Sequence, residues 1–499
     1  MRDFGRAHRL AAILLLGFAS GLPLALTGQA MQAWLTTDGV DFATIGFFGL
    51  VGVPYTFKFL WAPLMDRFEF PWLGRRRGWL VLTQGAMALV LLMLSGLSPH
   101  ERPLLFAQWA VLLAFLSASQ DVVVDAYRAD VLPDKAEHGL GASLHVFGYR
   151  LAMILSGGIA LIWADQWQSW PRVYALMGAI MAAAAVVSLL FLPSVRAVSQ
   201  PARSSAGGEL RGFLAMLAGV VAGYFLAREA LRLLGFDPDT ANHWTRLLFV
   251  MAEIAVALPM AWWFSRLARF ETLNASLAAY FAQSGAGLFL LLIVLYKLGD
   301  AFAGSLTTAF LIRGLSFSQA EVGIANKIIG IWLTIVGALI GGTLMLRLRL
   351  YRALLLFGVL QLVSNFGFYL IAVLGKGALG SITIPPFDWV IVSLREAASL
   401  DFLLLAVIAG ENITGGMGTV ALVALLMALC NSRFTATHYA LLSALAAVGR
   451  IYVSPVAGVL SENIGWPAFY LFSIVVAVPG VLMVRWMRAP LLTLSGTRT

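Results

Sequence analysis

Long apolar stretches, each ended by a short polar segment, recur along the whole chain of 499 residues. A helix needs roughly 20 mainly apolar residues to cross a bilayer, and about fourteen stretches meet this condition. Their approximate centres are Leu22, Gly52, Ala88, Leu112, Ile154, Ala182, Val220, Ile254, Leu298, Thr334, Leu362, Ala421, Ala447 and Val476. The pattern predicts an all-α polytopic membrane protein.

Composition supports this interpretation, because 60% hydrophobic and 12% charged residues exclude a water-soluble protein. The formal charge of +9 does not indicate a nucleic-acid partner, since lysine and arginine lie in short loops rather than on one basic face. These loops alternate along the chain, as at Arg6, Arg75, Arg128, Arg347 and Arg485. Because positively charged loops remain on the inner side, both termini are predicted to be cytoplasmic.

The two parts of the chain repeat each other at fixed offsets. Gly148-Tyr149-Arg150-Leu151 lies 300 positions before Val448-Gly449-Arg450-Ile451, and Gly158 matches Gly458 in the same register. A second register, offset by 277, places Ile45-Gly46 on Val322-Gly323. Duplicated six-helix halves around a central cavity are typical of the major-facilitator fold.

We therefore predict a major-facilitator fold with two accessory transmembrane helices. The N-terminal half spans residues 1–193, a linker with the accessory helices spans 194–275, the C-terminal half spans 276–490, and a cytoplasmic tail spans 491–499. The loop after the second helix resembles the superfamily signature through Asp66, Arg67, Gly74, Arg75 and Arg76. Plain topology-setting charge is the alternative explanation for this loop.

Several charged residues lie deep inside apolar segments, where an ionised side chain is costly unless it faces a cavity. Arg150, Lys297, Arg450 and Asp300 fall near the expected midplane. Three cations at this level favour a cargo that carries carboxylates or phosphates. Pairing of Lys297 with Asp300, and a structural role for the arginines, remain open alternatives.

Asp121 and Asp125 are candidates for proton coupling, because they stand at i and i+4 on one helix face and two close carboxylates favour retaining a proton. The alternative is a charge cluster with Arg128 at the inner end of the helix. Asp300 is the third candidate. Lys58 lies among aromatic residues, Tyr55 and Trp61 included, that suit sugar stacking; snorkelling to the interface is equally compatible.

The polar segment from Glu411 to Gly418 would loosen its helix, so Asn412 is a candidate for substrate contact, with close helix packing as the alternative. The sequence contains neither an ATPase phosphate loop nor spaced metal-ligand pairs. We therefore expect no cofactor and no metal, and a transporter driven by a gradient rather than an enzyme.

A set of motifs resembles the AmpG muropeptide permease family across about twelve helices. They include Gly17-Phe18-Ala19-Ser20-Gly21-Leu22-Pro23, Lys58-Phe59-Leu60-Trp61, Ser119-Gln120-Asp121, Tyr296-Lys297-Leu298-Gly299-Asp300, Asn326-Lys327 and Gly415-Gly416-Met417-Gly418. The resemblance implies proton-driven import of N-acetylglucosaminyl-1,6-anhydro-N-acetylmuramyl peptides through a Gram-negative inner membrane, and a link to β-lactamase induction.

On that resemblance, the peptide carboxylates of the substrate would suit Arg150, Arg450 and Lys297. Its sugars would suit Trp61, Tyr149 and Tyr296. Gln120, which belongs to a family motif, is a further candidate for substrate binding. A monomer in the lipid bilayer is expected. The accessory helices and residues 376–400 match no family motif. The alternatives are a carrier of another anion such as acetyl-coenzyme A and, least favoured, a membrane enzyme or sensor.

Overall fold

The structure, a computed structural model, describes residues 5–62, 65, 69, 73–132, 138–193, 206–237, 242–270, 274, 278, 280–282, 285–388, 393–429 and 435–494. Within these ranges, twelve helices are long and apolar enough to cross a membrane, and the shorter apolar helix Phe42–Phe57 accompanies them. The last of the twelve turns at Gly465, whose φ of 73° is not helical, and therefore crosses twice. With the last helix counted twice and the shorter helix included, the described residues make fourteen crossings, which agrees with the predicted number of about fourteen.

We number the helices in chain order. The N-terminal half contains α1 (Arg6–Leu26 and Gln29–Thr37), α2 (Phe42–Phe48, Gly49–Gly52 and Val53–Phe57), α3 (Arg75–Ser95), α4 (Pro103–Val131), α5 (His138–Met153, Ile154–Ile159 and Ala160–Trp167) and α6 (Trp170–Phe191). The accessory helices are α7 (Ala206–Leu233) and α8 (His243–Leu267).

The C-terminal half contains α9 (Ala286–Gly304, Thr307–Ala309 and Phe310–Gly314), α10 (Gln319–Val322, Gly323–Ile329 and Gly330–Met345), α11 (Leu350–Leu374), α12 (Phe402–Leu429), α13 (residues 435–464) and α14 (residues 466–486). A short helix, α15 (Arg488–Leu494), follows. The helical, polytopic fold class is confirmed. The exact domain boundaries stay a prediction.

A small β-hairpin connects α11 to α12. Strand β1 (Ser381–Ile384) pairs antiparallel with β4 (Ala398–Asp401), and β2 (Phe387–Asp388) pairs with β3 (Ser393–Leu394). The buried carboxylate of Asp401 accepts the backbone N–H of Leu404 at 2.7 Å and so caps α12. We call this side of the helix bundle the hairpin end, and the side where residues 5 and 494 lie the terminal end.

Glycines bring the two halves into close contact at two crossings. A Cβ on Gly46 of α2 would lie 2.7 Å from Cα of Gly458 on α13, and a Cβ on Gly323 of α10 would lie 2.7 Å from the carbonyl oxygen of Gly158 on α5. The sequence registers relate Gly46 to Gly323 and Gly158 to Gly458. The repeated glycines therefore make equivalent contacts, since neither crossing has room for a side chain.

The helix bundle has an apolar exterior, as expected for a surface covered by lipid. Leu89, Val363 and Trp486 are among its large exposed side chains. The accessory helices pack on each other through a glycine contact, in which a Cβ on Gly223 would meet the backbone of Ala257 at 2.5 Å. Most of their remaining surface is exposed, so they form an attached pair rather than part of either half.

Candidate functional site

A cavity of about 310 Å3 lies between the two halves. Its walls come from α1, α2 and α5 of the N-terminal half and from α9 and α13 of the C-terminal half. The wall on α1 includes Thr27 and Gly28, where this helix is interrupted behind Pro23. Of the residues predicted to bind substrate or protons, Tyr55 and Asp300 line the cavity.

Asp300 belongs to a group of charged residues in the C-terminal half, the C-terminal cluster, which also contains Lys297, Lys327 and Glu411. Lys297 Nζ lies 3.1 Å from Asp300 Oδ2. A Cβ placed on Gly304, in the cavity wall, would lie 4.0 Å from Glu411 Oε1. Lys327 is 4% exposed and interacts electrostatically with Glu411, although the two do not form an ion pair in the described part of the chain.

Lys327 and Glu411 are not among the site residues predicted from the sequence. Both had the signal that singled out Lys297, a charged residue well inside an apolar run. Glu411 was included only as part of a glycine-rich segment, and Lys327 only as part of a family motif. The structure adds them because α10 and α12 hold them next to α9.

A second group, the N-terminal cluster, consists of Ser20, Lys58 and Asp121. Lys58 Nζ lies 3.5 Å from Asp121 Oδ2, and the hydroxyl of Ser20 donates to Asp121 Oδ1. These three residues come from α1, from the short 3-10 helix Lys58–Leu60 that follows α2, and from α4. The structure therefore brings Lys58 and Asp121 together, whereas the sequence analysis treated them separately.

The remaining residues near Asp121 differ in their surroundings. Asp125 has a 57% exposed side chain and pairs with Arg128 at 3.3 Å, which matches the alternative of a charge cluster at the helix end. Gln120 is fully buried, and its amide nitrogen and oxygen have no hydrogen-bond partner within the described residues. A buried amide without partners is costly. Gln120 thus remains a candidate for substrate contact.

Arg150 lies beside the cavity rather than in its wall. Its Nη1 atom contacts the sulfur of Met153 at 3.9 Å, and Met153 lines the cavity. No carboxylate among the described residues comes within ion-pair distance of this guanidinium. The side chain of Arg450, its counterpart in the repeat, lies outside the described part of the structure.

Most of the aromatic side chains predicted to contact the substrate pack against residues of their own half. Trp61 is 8% exposed and donates its indole N–H to Ser119 at 3.0 Å. Tyr296 is 6% exposed and donates its hydroxyl to the carbonyl of Leu354 on α11 at 3.2 Å. Tyr149 is partly buried on α5 beside His145. The structure does not bring Trp61, Tyr149 or Tyr296 to the wall of the cavity.

Asn412 connects two helices of the C-terminal half. Its Oδ1 accepts from the hydroxyl of Thr334 at 2.8 Å, and its Nδ2 donates to the carbonyl of Ile408 at 2.9 Å. The side chain also fills the space beside Gly330. This arrangement matches the alternative of helix packing better than substrate contact.

The predicted loop signature is described only in part. Asp66 and Arg67 lie outside the described residues. Gly74 has a φ of +72°, which favours glycine, and directly precedes α3, where Arg75 begins the first turn. Arg76 Nε lies 3.0 Å from Asp130 Oδ2 at the end of α4. The loop therefore supplies an ion pair between α3 and α4, beyond setting topology.

Polar contacts join the halves at the hairpin end. Arg313 of α9 donates to the carbonyls of Val40 at 2.6 Å and Thr36 at 2.5 Å. Gln32 of α1 donates to the carbonyl of Ser305 at 2.7 Å and accepts the N–H of Thr308 at 3.0 Å. The central cavity is thus closed towards the hairpin end.

The hairpin itself reinforces this closure. Its residues Leu394 and Ala398 pack against Ile162 of α5 and Ala320 of α10. Lys376 Nζ lies 2.6 Å from Glu321 Oε2, which ties the start of the hairpin to α10. The hairpin belongs to the C-terminal half but also contacts the N-terminal half, so it spans the junction between α5 and α10.

Comparison with known proteins gives matches over almost the whole chain. The anhydromuropeptide permease of Escherichia coli strain K12 is 43% identical over 483 residues, which cover 97% of this chain and 80% of that protein. An uncharacterized protein of Haemophilus influenzae is 33% identical over 475 residues, covering 95% and 93%. The family described as acetyl-coenzyme A transporter 1 matches residues 9–103.

Solved structures of transporters share the fold. A peptide transporter POT in complex with sulfate has a TM-score of 0.69 at 14% identity and covers 100% of this chain and 97% of that chain. The nucleoside transporter NupG has a TM-score of 0.57 at 11% identity, with coverage of 96% and 99%. At these identities the likeness shows the fold alone, which is the major-facilitator fold.

Proposed function

Since the chain belongs to the anhydromuropeptide permease family, we propose that it imports N-acetylglucosaminyl-1,6-anhydro-N-acetylmuramyl peptides in symport with protons. The identity of 43% along 97% of the chain is the observation that carries this proposal. The proposed location is the inner membrane of a Gram-negative bacterium. Import there supports peptidoglycan recycling and so influences β-lactamase induction. The protein acts as a transporter and not as an enzyme, and works as a monomer.

In this proposal the hairpin end faces the periplasm and both termini face the cytoplasm. Arg6, Arg75, Arg76 and Arg128 lie near the terminal end, as the rule for positively charged loops requires. The contacts of Arg313 and Gln32 then close the periplasmic side. Opening of this side to admit substrate requires the halves to separate along these contacts, as in alternating access.

The C-terminal cluster offers a way to couple a proton to an anionic substrate. Lys297 is paired with Asp300, and Asp300 lines the cavity. Protonation of Asp300 removes its charge and leaves Lys297 without its partner, so that a carboxylate of the peptide can take that place. Glu411, next to the same wall, provides a second carboxylate that can accept or pass on the proton.

The test uses the purified protein in liposomes with a labelled anhydromuropeptide outside. We expect uptake that requires an inward proton gradient and stops when a protonophore is added. Liposomes without protein are the control. Uptake no greater than in the control would contradict the import function, and uptake unaffected by the protonophore would contradict the coupling.

Transport of acetyl-coenzyme A is the second candidate, favoured by the match to residues 9–103. That match covers about a fifth of the chain and includes α1 to α3 but none of the C-terminal cluster. The same liposomes distinguish the two substrates. We expect unlabelled anhydromuropeptide, and not acetyl-coenzyme A, to reduce the uptake of labelled anhydromuropeptide.

A further inference from the structure

Three potential metal ligands meet at the hairpin end, outside the central cavity. Asp41 directly precedes α2, Glu462 lies near the end of α13, and His243 is the first residue of accessory helix α8. His243 Nε2 lies 3.7 Å from Glu462 Oε2 and 3.9 Å from Asp41 Oδ1. The side chains are 29% exposed for His243, 24% for Glu462 and 46% for Asp41, so the group is accessible from the surface.

The imidazole has no hydrogen-bond partner within the described residues. Both carboxylate oxygens lie beyond 3.5 Å from Nε2, and the buried Nδ1 is also unpartnered. The carboxylates are held by other contacts: Asp41 Oδ1 accepts the N–H of Thr44 at 2.7 Å, and Glu462 Oε1 accepts that of Ala43 at 3.2 Å. Two fixed carboxylates and a nitrogen therefore face a common space.

Arg313 interacts electrostatically with both carboxylates. Its guanidinium donates to the carbonyls of Thr36 and Val40 and lies over the ring of Phe42 at 4.9 Å. These contacts hold it to the backbone between α1 and α2. It offsets part of the negative charge, but it forms no ion pair with either carboxylate among the described residues.

We propose that Asp41, His243 and Glu462 form a binding site for Zn2+ or a similar transition-metal ion. One imidazole nitrogen and two carboxylates are ligands that Zn2+ accepts, with water as the fourth. Bonds of about 2.1 Å in a tetrahedron separate neighbouring ligands by about 3.4 Å. The three ligand atoms lie within 4.8 Å of one another, so small side-chain rotations bring them to this geometry.

Such a metal would hold three parts of the fold together. Asp41 belongs to the N-terminal half, Glu462 to the C-terminal half and His243 to the accessory pair. One and two turns after His243, Leu247 and Met251 of α8 pack against the junction of α2 and α13. The metal and this apolar contact together make α8 a clamp across the periplasmic side, a role that rests on the proposed function.

The sequence shows no metal-ligand pair, because such pairs are recognised by the spacing of ligands within one segment. Successive members of this group lie about 200 positions apart in the chain. They become neighbours only after α2, α8 and α13 have packed together.

Metal binding is measured by equilibrium dialysis of the purified full-length protein, freed of metal, against 65Zn2+. We expect one ion per chain, with His243→Ala and Glu462→Gln each weakening binding at least tenfold. Glu462→Gln retains an oxygen that accepts the N–H of Ala43, so it should preserve the fold. It therefore tests the site even if His243→Ala fails to fold. His100→Ala is the matched control, because His100 is also exposed at the hairpin end, and its backbone N–H, not its imidazole, donates to the carboxylate of Asp38.

Absence of Zn2+ binding by the wild type, or equal binding by the wild type and Glu462→Gln, would overturn the site. The clamp is tested by uptake into liposomes: micromolar Zn2+ should slow uptake by the wild type several-fold and leave His243→Ala unaffected. Binding without slowing would overturn the clamp alone. Uptake by the wild type no greater than in protein-free liposomes, both without metal and with Zn2+, would instead contradict the proposed function, and the dialysis result would still stand.

Discussion

The N-terminal and C-terminal clusters differ although repeated helices carry them. In each half, the fourth helix supplies an acid and the second helix, or the short 3-10 helix that follows it, a lysine: Asp121 with Lys58, and Glu411 with Lys327. The first pair is in contact at 3.5 Å, whereas the second is not in ion-pair contact within the described residues. The C-terminal half has an additional pair, Lys297 with Asp300, that reaches the cavity.

The difference shows which parts of the repeat are fixed by packing. The register that relates Gly46 to Gly323 places Lys327 opposite Leu50, not opposite Lys58. Glycines at the crossings cannot change without separating the helices, since a side chain would meet backbone atoms there. Charged residues can change position as long as a partner or the cavity compensates for the cost of burial. We infer that the two clusters have different tasks.

The largest effect is expected for Asp300→Asn, which breaks the pair with Lys297 permanently. The amide cannot carry the coupling proton, so proton-driven uptake should fall at least a hundredfold. Substrate binding should persist, because Lys297 is then always available, and it should lose its dependence on pH. Uptake into liposomes and binding measured between about pH 5 and 8 check both parts.

Glu396→Asn is a suitable control for Asp300→Asn, because Glu396 is exposed in the hairpin and outside the cavity wall. It should leave uptake and its pH dependence unchanged. If Asp300→Asn retained the coupling of the wild type, a group other than Asp300 would carry the proton. Glu411 would then be the next residue to test.

Asp121→Asn should reduce uptake about tenfold, an intermediate effect, because it leaves Lys58 without its counter-ion in a partly buried position. Asp125→Asn is the matched variant on the same helix face. Its side chain is mostly exposed and, among the described residues, forms an ion pair with Arg128 alone, so we expect a change of less than about twofold. Initial uptake rates for the two variants decide whether the N-terminal cluster acts through Asp121. Equal losses would favour the like-charge pair that the sequence analysis proposed.

The sequence predicted the fold well because its signals are local. Each crossing shows as an apolar run, and the contacts between halves show as repeated glycines such as Gly158 and Gly458. The sequence does not predict the β-hairpin, since β1 and β4 are short strands that pair with each other across the intervening residues. The sequence marks residues 376–400, which contain most of the hairpin, only as a stretch that matches no family motif.

The site was harder to predict, because an apolar membrane helix does not reveal which of its faces meets protein and which meets lipid. Tyr296 illustrates this: it neighbours Lys297 in the chain, yet it points to Leu354 in a buried contact away from the cavity. Lys58 and Asp121 were predicted separately because 63 positions divide them. Contacts between distant helices depend on how the helices rotate as they pack, and apolar periodicity does not encode that rotation.

Arg150→Ala should have the smallest of the three effects, a weakening of substrate affinity by about fivefold, which corresponds to about 1 kcal/mol, the net contribution of one ordinary hydrogen bond. The guanidinium is set back from the cavity wall and donates to the sulfur of Met153, and its removal breaks no ion pair among the described residues. Arg172→Ala, at an exposed position on α6, is the matched control and should bind as the wild type does. Titration of the purified proteins with anhydromuropeptide measures both affinities. An unchanged affinity for Arg150→Ala, with normal membrane insertion, would assign this residue to helix packing and leave the anion to Lys297.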